Sequence, residues 1–379
     1  MPTPTLSLCL ITRNEARNLP ACLASVRGLA DEIVVVDTGS TDETVALARG
    51  AGATVHEMPW PGDFSVARNA ALARATGRWI LVLDADETLP PASVAAVRKL
   101  VAAPPRRAYT LVQRSRLATA AAHLDVAIVR LFPRDERVRF ERPIHEQVNT
   151  SLERCRIPIE DTGIIFEHSG YAEASAMPAK TARNRALIET ALHAAESGPA
   201  AERDPHLRYF YANTFFDTGD FVTAAREYLE CAVQCGDDRP RLGSAARIKA
   251  AEAFALASEP ALALDALPDE RAVAAHPQAS LLKGEIMLRR GLHHEALRWL
   301  ELVLGLPDQA YMPPVVVAPL KLKALEFLAG VWAAMERKDI AVGVLHLGMA
   351  FAQGKVPRDP TTLQKRYAAC RAQPGRRAA

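Results

Sequence analysis

Over the first hundred residues, short apolar runs alternate with patterns of helical period. LSLCLIT, EIVVVDT, TVHEM and WILVLDADE read as strands, because unbroken runs of aliphatic and β-branched residues suit strands covered on both faces. Between them EARNLPACLASVRGLA, TDETVALARGAG and FSVARNAALARATG repeat apolar residues at three- and four-residue spacing and read as helices, the last ending at Gly77. This alternation predicts an α/β domain with a mostly parallel sheet flanked by helices. Beyond Pro104-Pro105, the segments YTLVQRS, VAIVRLFPR, VRFERPIHEQV and GIIFEH read as less regular strands rimming a site.

From residue 175 the chain turns to Ala, Leu, Arg and Glu, and nearly every segment reads as helix. LRYFYANTFFDTGDFVTAAREYLECAVQ and SLLKGEIMLRRGLHHEALRWLELVL each give a first helix, a turn opened by glycine, and an Ala-centred second helix. Gly219 and Gly291 mark those turns, RIKAAEAFALASEPALALDAL is a poorer unit between them, and a fourth pair is expected from Leu325 to Gln353. Such pairs predict an all-α, tetratricopeptide-like helical-repeat domain, with an irregular bundle as the alternative. The expected divisions are 1–174, 175–360 and a flexible tail over 361–379.

At 379 residues and 49% hydrophobic content, the chain can bury two cores. A net charge of +2 leaves no global basic field, so nucleic acid is not an expected partner. The six cysteines lack a paired zinc spacing and read as reduced thiols of a cytoplasmic protein. The N-terminal apolar run is too short for a signal peptide or a membrane span.

In an open α/β sheet, ligands bind beyond the carboxyl ends of the strands, and three runs end in polar groups there. These are Thr12-Arg13-Asn14-Glu15, Asp37-Thr38-Gly39-Ser40-Thr41-Asp42 and Asp84-Ala85-Asp86-Glu87. Residues two apart in a strand share a face, so Asp84 and Asp86 are expected to converge on one cation if the backbone stays extended. Their hard oxygens suit Mg²⁺ or Mn²⁺, which keep positions open for phosphates. Ser40 to Glu43 read equally well as a helix N-cap. Glu87 is expected to begin a solvated turn before Pro90-Pro91, and Arg130, Arg134 and Arg142 to hold phosphates or, by preference, to line a solvated rim.

LCLITRNEARNLPACLASV, DEIVVVDTGSTDETVALA, DFSVARNAALARATGRWILVLDADE and RPIHEQV together resemble a family 2 glycosyltransferase of the GT-A fold. The likeness covers roughly residues 6–170, and is strongest to the branch with a C-terminal tetratricopeptide-like region, which includes enzymes that glycosylate bacteriocin peptides. It implies a nucleotide-sugar donor, UDP-linked by preference, a divalent cation (Mn²⁺ or Mg²⁺), and inversion at the anomeric carbon. On this sequence it places Thr12, Asn14, Glu15, Asp37, Gly39, Arg68, Asn69, Asp84 and Ala85 around the donor, with Asp84 near ribose and metal. Asp86 is the implied metal ligand, and His168 resembles a further one.

Inverting transfer needs a base for the acceptor, and Glu146 or its neighbour His145 occupies the implied position. A thiol acceptor would need less help than an alcohol. HEQVN also begins like the HExxH zinc-protease signature, but Asn149 replaces the second histidine and Pro143 lies just upstream. The expected acceptor is a peptide or protein side chain, with the helical half recognising it or forming a homodimer. A cell-surface glycan acceptor, and a non-catalytic scaffold with a degenerate nucleotide domain, are the alternatives.

Overall fold

Four apolar runs build the centre of one sheet. β1 (Leu6–Thr12), β2 (Glu32–Asp37), β3 (Thr54–Glu57) and β4 (Trp79–Val82) lie parallel in the order β3-β2-β1-β4. The sheet continues through β5 (Glu87–Thr88), β6 (Ala108–Arg116), β7 (His123–Pro133) and β8 (Ile159–His168), giving eight strands in the order β3-β2-β1-β4-β7-β6-β8-β5. In this computed structural model, which describes residues 5–116, 123–169, 177–196, 204–309, 311–357 and 359–372, most pairings are parallel; β7 runs antiparallel to β4 and β6, and β5 antiparallel to β8.

Alternation sends Leu6, Leu8 and Leu10 to one face and Cys9 to the other. Helices α1 (Leu19–Ser25), α2 (Thr44–Gly50) and α4 (Pro91–Val101) cover the first face through Leu23, Ala48 and Val97. The second is covered by α3 (Phe64–Leu72) and α5 (Asn149–Arg154), through Ala71 and Leu152. Burying each large aliphatic side chain contributes about 1.5–3 kcal/mol. α6 (Met177–Glu196) ends the described part of this unit, which spans Met1–Pro199.

Three expectations change. VRFERPIHEQV is a loop rather than a strand, closed by reciprocal bonds between Glu141 and Gln147. Pro143 has no N–H to give a ladder, and Arg142 and His145 are left-handed at φ 82° and 52°. The extended backbone of β4 ends at Val82, and Asp84 to Glu87 form a turn closed by Glu87 N–H on Asp84 O at 3.0 Å. Glu87 is fully buried instead of opening a solvated turn.

The second unit, Ala200–Ala379, is helical. Its hairpins are α7 (Pro205–Asp217) with α8 (Phe221–Cys235), and α9 (Pro240–Leu256) with α10 (Pro260–Ala266). After α11 (Glu270–Ala274) come α12 (Pro277–Arg289) with α13 (His293–Gly305), then α14 (Val317–Ala334) with α15 (Lys338–Ala352). A left-handed residue turns each hairpin: Gly219, Ser258, Gly291 and Glu336. The core runs through every pair, with Tyr228, Phe254, Trp299 and Leu325 among its members. The compact units divide at 199/200, whereas the expected boundary at 174/175 lies outside the described residues. The expected tail is in part a helix, α16 (Pro360–Ala372), because Leu363 and Tyr367 have a core to enter. Residues 373–379 lie outside the described part. Among the described residues no helix is long and apolar enough to cross a membrane.

Two stability tests follow from the packing. A Cβ on Gly77 would stand 2.7 Å from the Ser7 backbone nitrogen, so Gly77→Ala is expected to cost about 1–3 kcal/mol in denaturant unfolding. In the helical unit, burial holds the His276 imidazole below its ordinary range, although its Nε2 lies 3.0 Å from Pro313 O. Above the unfolded value of about 6.5 both states are neutral; below it only the unfolded chain gains the proton, so stability falls with pH by up to about 1.4 kcal/mol per unit. Melting at pH 7.5 and 5.5 should show that loss, and His276→Gln should reduce it.

Candidate active site

The parallel register sets Thr12 beside Asp37 at the carboxyl ends of β1 and β2. Thr12 Oγ1 donates to Asp37 Oδ2 at 2.9 Å; Asp37 Oδ1 accepts from Gly39 N (3.0 Å) and Ser40 N (2.8 Å). Burial alone would raise this carboxyl, but the bonds from Ser40, Thr12 and Gly39 hold it below the ordinary range. Gly39 makes the turn at φ 105°. Asn14, left-handed at φ 57°, gives its N–H to Ser40 Oγ and accepts Thr41 N at Oδ1, both at 2.8 Å. Glu15 N donates to Thr44 Oγ1 at 2.7 Å, and burial pushes the Glu15 carboxyl up. Asp42 caps Thr44 N at 3.0 Å and also accepts Ala16 N at 3.1 Å. Asn14 and Glu15 therefore fasten the loop after β1 to the loop after β2.

Helix α3, capped by Asp63 on Val66 N, reaches the site through consecutive residues. Asn69 spends both ends of its carboxamide on Phe140, donating to its O at 2.9 Å and accepting from its N at 2.8 Å. Phe64 N donates to Pro143 O at 2.9 Å. Arg68 reaches Glu146 Oε1 through Nε at 2.5 Å and Asp84 Oδ1 through Nη2 at 2.7 Å. One helix thus pins the 140–146 loop and places Glu146 against the sheet. His145 is exposed. Because α5 starts at Asn149, His145 and Glu146 precede the helix and cannot share its face as a zinc-protease pair would.

Asp84 and Asp86 diverge at the turn. Asp84 lies between two guanidiniums, Arg68 on Oδ1 and Arg130 Nη2 on Oδ2 at 3.2 Å. Burial opposes its ionisation, but both arginines override that and hold it far below the ordinary range. Asp86 Oδ2 instead lies 3.2 Å from His168 Nε2, brought there because Glu87 and His168 are register partners of β5 and β8. Burial lowers the His168 affinity for a proton, but Asp86 reverses this and the net shift is upward. Ser115 Oγ, 3.1 Å from His168 Nδ1, can accept the Nδ1–H of the tautomer that frees Nε2. Ala85 is buried in the apolar core. Beneath the turn, Glu87 accepts Asp84 N at Oε2 (2.8 Å), and Arg130 Nη2 (2.6 Å) and Gln113 Nε2 (2.9 Å) at Oε1. Burial pushes the Glu87 carboxyl up to about 7 while Arg130 pulls it back.

Gln113 and Ser115 were not singled out in the sequence, and Glu87 and Arg130, named there, were given no part in this network. Arg130 is only 6% exposed, against the solvated rim expected of it. Its signal was present: a lone charge inside VAIVRLFP, in a strand otherwise apolar at its end.

A cation would find one hard oxygen on Asp86 and one imidazole nitrogen on His168, a donor pair that suits Mn²⁺. Among the described residues no group of three or more His, Cys, Asp or Glu is placed to hold a metal. Other ligands would have to come from a diphosphate and water. Asp84 is a poor third ligand, because two guanidiniums already neutralise it and would repel a dication.

The model of the family described as Glycosyl transferase family 2 matches residues 7–146. Residues 7–146 of the first unit are thus similar to a family 2 glycosyltransferase domain. A TPR repeat-containing protein of Synechococcus elongatus is 42% identical over 193 residues, 49% of this chain and 47% of that protein. The SPbeta prophage-derived glycosyltransferase SunS of Bacillus subtilis is 29% identical over 203 residues, 52% of this chain and 47% of that protein. The chain spans about half the length of these relatives. The crystal structure of S. aureus TarS 1-349 in complex with UDP-GlcNAc aligns at a TM-score of 0.40 and 14% identity, covering 76% of this chain and 92% of that one.

The Arg68 contacts generate a test. Arg68→Ala would leave the Glu146 carboxylate without its counter-charge and Asp84 with Arg130 alone, and is expected to cost about 3 kcal/mol in chemical denaturation. Glu146→Gln keeps an acceptor for Arg68 and should cost clearly less.

Proposed function

We propose that this protein is a metal-dependent inverting glycosyltransferase that moves a sugar from a nucleotide-sugar donor, by preference UDP-linked, to a peptide or protein side chain. The observation that carries it is the Asp86–His168 pair at 3.2 Å beside an Asp84 already neutralised by arginines. The uridine preference and the inverting course come from the family resemblance. The glycosyltransferase SunS is 29% identical over 203 residues, 52% of this chain. Stacked helix pairs present the kind of surface that binds peptides, which favours a protein acceptor.

In this reading Thr12, Asp37 and Gly39 line the base end of the donor site. Asn14 and Glu15 shape its floor, and Asn69 supports its wall. Each Asp84 oxygen keeps a lone pair beyond its arginine bond and accepts ribose hydroxyls. The buried Nη1 of Arg68, which has no hydrogen-bond partner among the described residues, is a donor available to a ligand oxygen. Asp86 and His168 would hold the cation, which supplies Lewis-acid neutralisation of the departing diphosphate. Glu146 Oε takes the proton of the acceptor as its oxygen or sulfur bonds to the anomeric carbon and the bond to the diphosphate oxygen breaks. Arg68 orients Glu146 for that transfer.

The test is hydrolysis of UDP-, GDP- and dTDP-sugars with Mn²⁺, alone and with candidate acceptors. UDP-sugar turnover that is lost with EDTA, and falls by at least about 100-fold in Asp86→Ala, is the expected result. Failure of the parent protein to bind any nucleotide sugar overturns the reading, and transfer only to a lipid-linked glycan overturns the peptide acceptor.

A further inference from the structure

We propose that Glu87 and Arg130 form a buried positioning pair for donor and cation binding, holding the Asp84–Glu87 turn so that Asp84 and Asp86 present their carboxylates in different directions. The proposal rests on reading this edge of the sheet as a nucleotide-sugar site.

Glu87 has no exposed surface, and both its oxygens are engaged by Asp84 N, Arg130 and Gln113. Arg130 lies with its guanidinium carbon 5.2 Å from the centre of the Phe166 ring and divides Nη2 between Glu87 and Asp84, while its buried Nε has no hydrogen-bond partner among the described residues. As a stability device this is poor. A buried ion pair with an unsatisfied N–H gains little or nothing over apolar residues of the same volume. Two things lie beyond an apolar pair: accepting the Asp84 N–H, and holding Asp84 Oδ2.

Both contacts bear on the functional carboxylates. The bond from Asp84 N to Glu87 Oε2 and the bond from Glu87 N to Asp84 O close the same turn from both ends. Glu87 is also the register partner of His168, so the residue that closes the turn sets His168 opposite Asp86. Arg130 fixes the second oxygen of Asp84 and leaves it facing Arg68.

Three variants of the full chain decide it: Glu87→Gln, Arg130→Met and the double. Melting temperature is read beside the dissociation constant for UDP with Mn²⁺ by calorimetry, and beside the donor KM and kcat. Glu87→Gln is expected to fold, to weaken UDP and Mn²⁺ binding by about tenfold, and to raise KM more than it lowers kcat. Arg130→Met strands the buried Glu87 charge and lowers the melting temperature. The double variant removes both charges, so its melting temperature recovers while its affinity does not. Recovery of affinity together with stability in the double variant, or parental affinity in Glu87→Gln, overturns the positioning role. Should the double variant not fold, Glu87→Gln alone decides. A parent protein that binds UDP and Mn²⁺ beside unaltered variants refutes only this inference, whereas a parent that binds neither refutes the donor site itself.

Discussion

The carboxylate of Asp84, held between the guanidiniums of Arg68 and Arg130, is the contact on which the rest of the site depends. Asp84, Asp86 and Glu87 stand within four residues, and unscreened carboxylates at that spacing would repel one another and drive one toward its neutral form. Each arginine answers two carboxylates, Asp84 among them, and comes from a different element. Arg68 leaves α3 and joins Asp84 to Glu146; Arg130 leaves β7 and joins Asp84 to Glu87. The chain of alternating charge therefore ties the helix after β3, the loop at 140–146, the turn after β4 and strand β7 into one unit. Moving any of them would leave a buried charge unpaired.

How far this was legible depends on the range of the interactions. β1, β2 and β4 were readable because each is an apolar run ended by polar residues, and those polar residues do lie along one edge. The turns at Gly219 and Gly291 were readable because glycine adopts a left-handed conformation freely. The matching turns at Ser258 and Glu336 were not, since both residues enter that conformation only because the packed helices on either side require it. The tail read as mobile by its charge, yet Leu363 and Tyr367 find a core that only the folded chain supplies. Glu87 read as solvated for the same reason, because its partner Arg130 lies far along the chain and is brought in by an antiparallel strand.

The reading of Asp84 and Asp86 as a converging pair failed on backbone geometry. Alternation applies only while the strand is extended, and β4 stops at Val82. What replaces it is chemically more informative. Two guanidiniums make the surroundings of Asp84 unfavourable for a dication but leave lone pairs for hydroxyl groups, whereas Asp86 faces an imidazole with no arginine among its charge partners. The same Asp-x-Asp spacing thereby sets two carboxylates in unlike surroundings, one between guanidiniums and one against an imidazole. The difference lies in their neighbours rather than in their residue type.

The buried charges also show where stability and function part. Arg68 Nη1 and Arg130 Nε are buried without hydrogen-bond partners among the described residues, and each such group costs about 1–3 kcal/mol. Apolar replacements would relieve that cost, since the layers above and below the sheet are already closed by Leu83, Phe132, Val148 and Phe166. The cores can carry the expense; nothing in their packing calls for it. An arrangement that is costly to fold and specific in geometry is what a preorganised ligand site demands, because the groups must stand in place before the ligand arrives. The surplus cost at Arg68 and Arg130 thus argues, independently of any resemblance, that this edge of the sheet is built for binding.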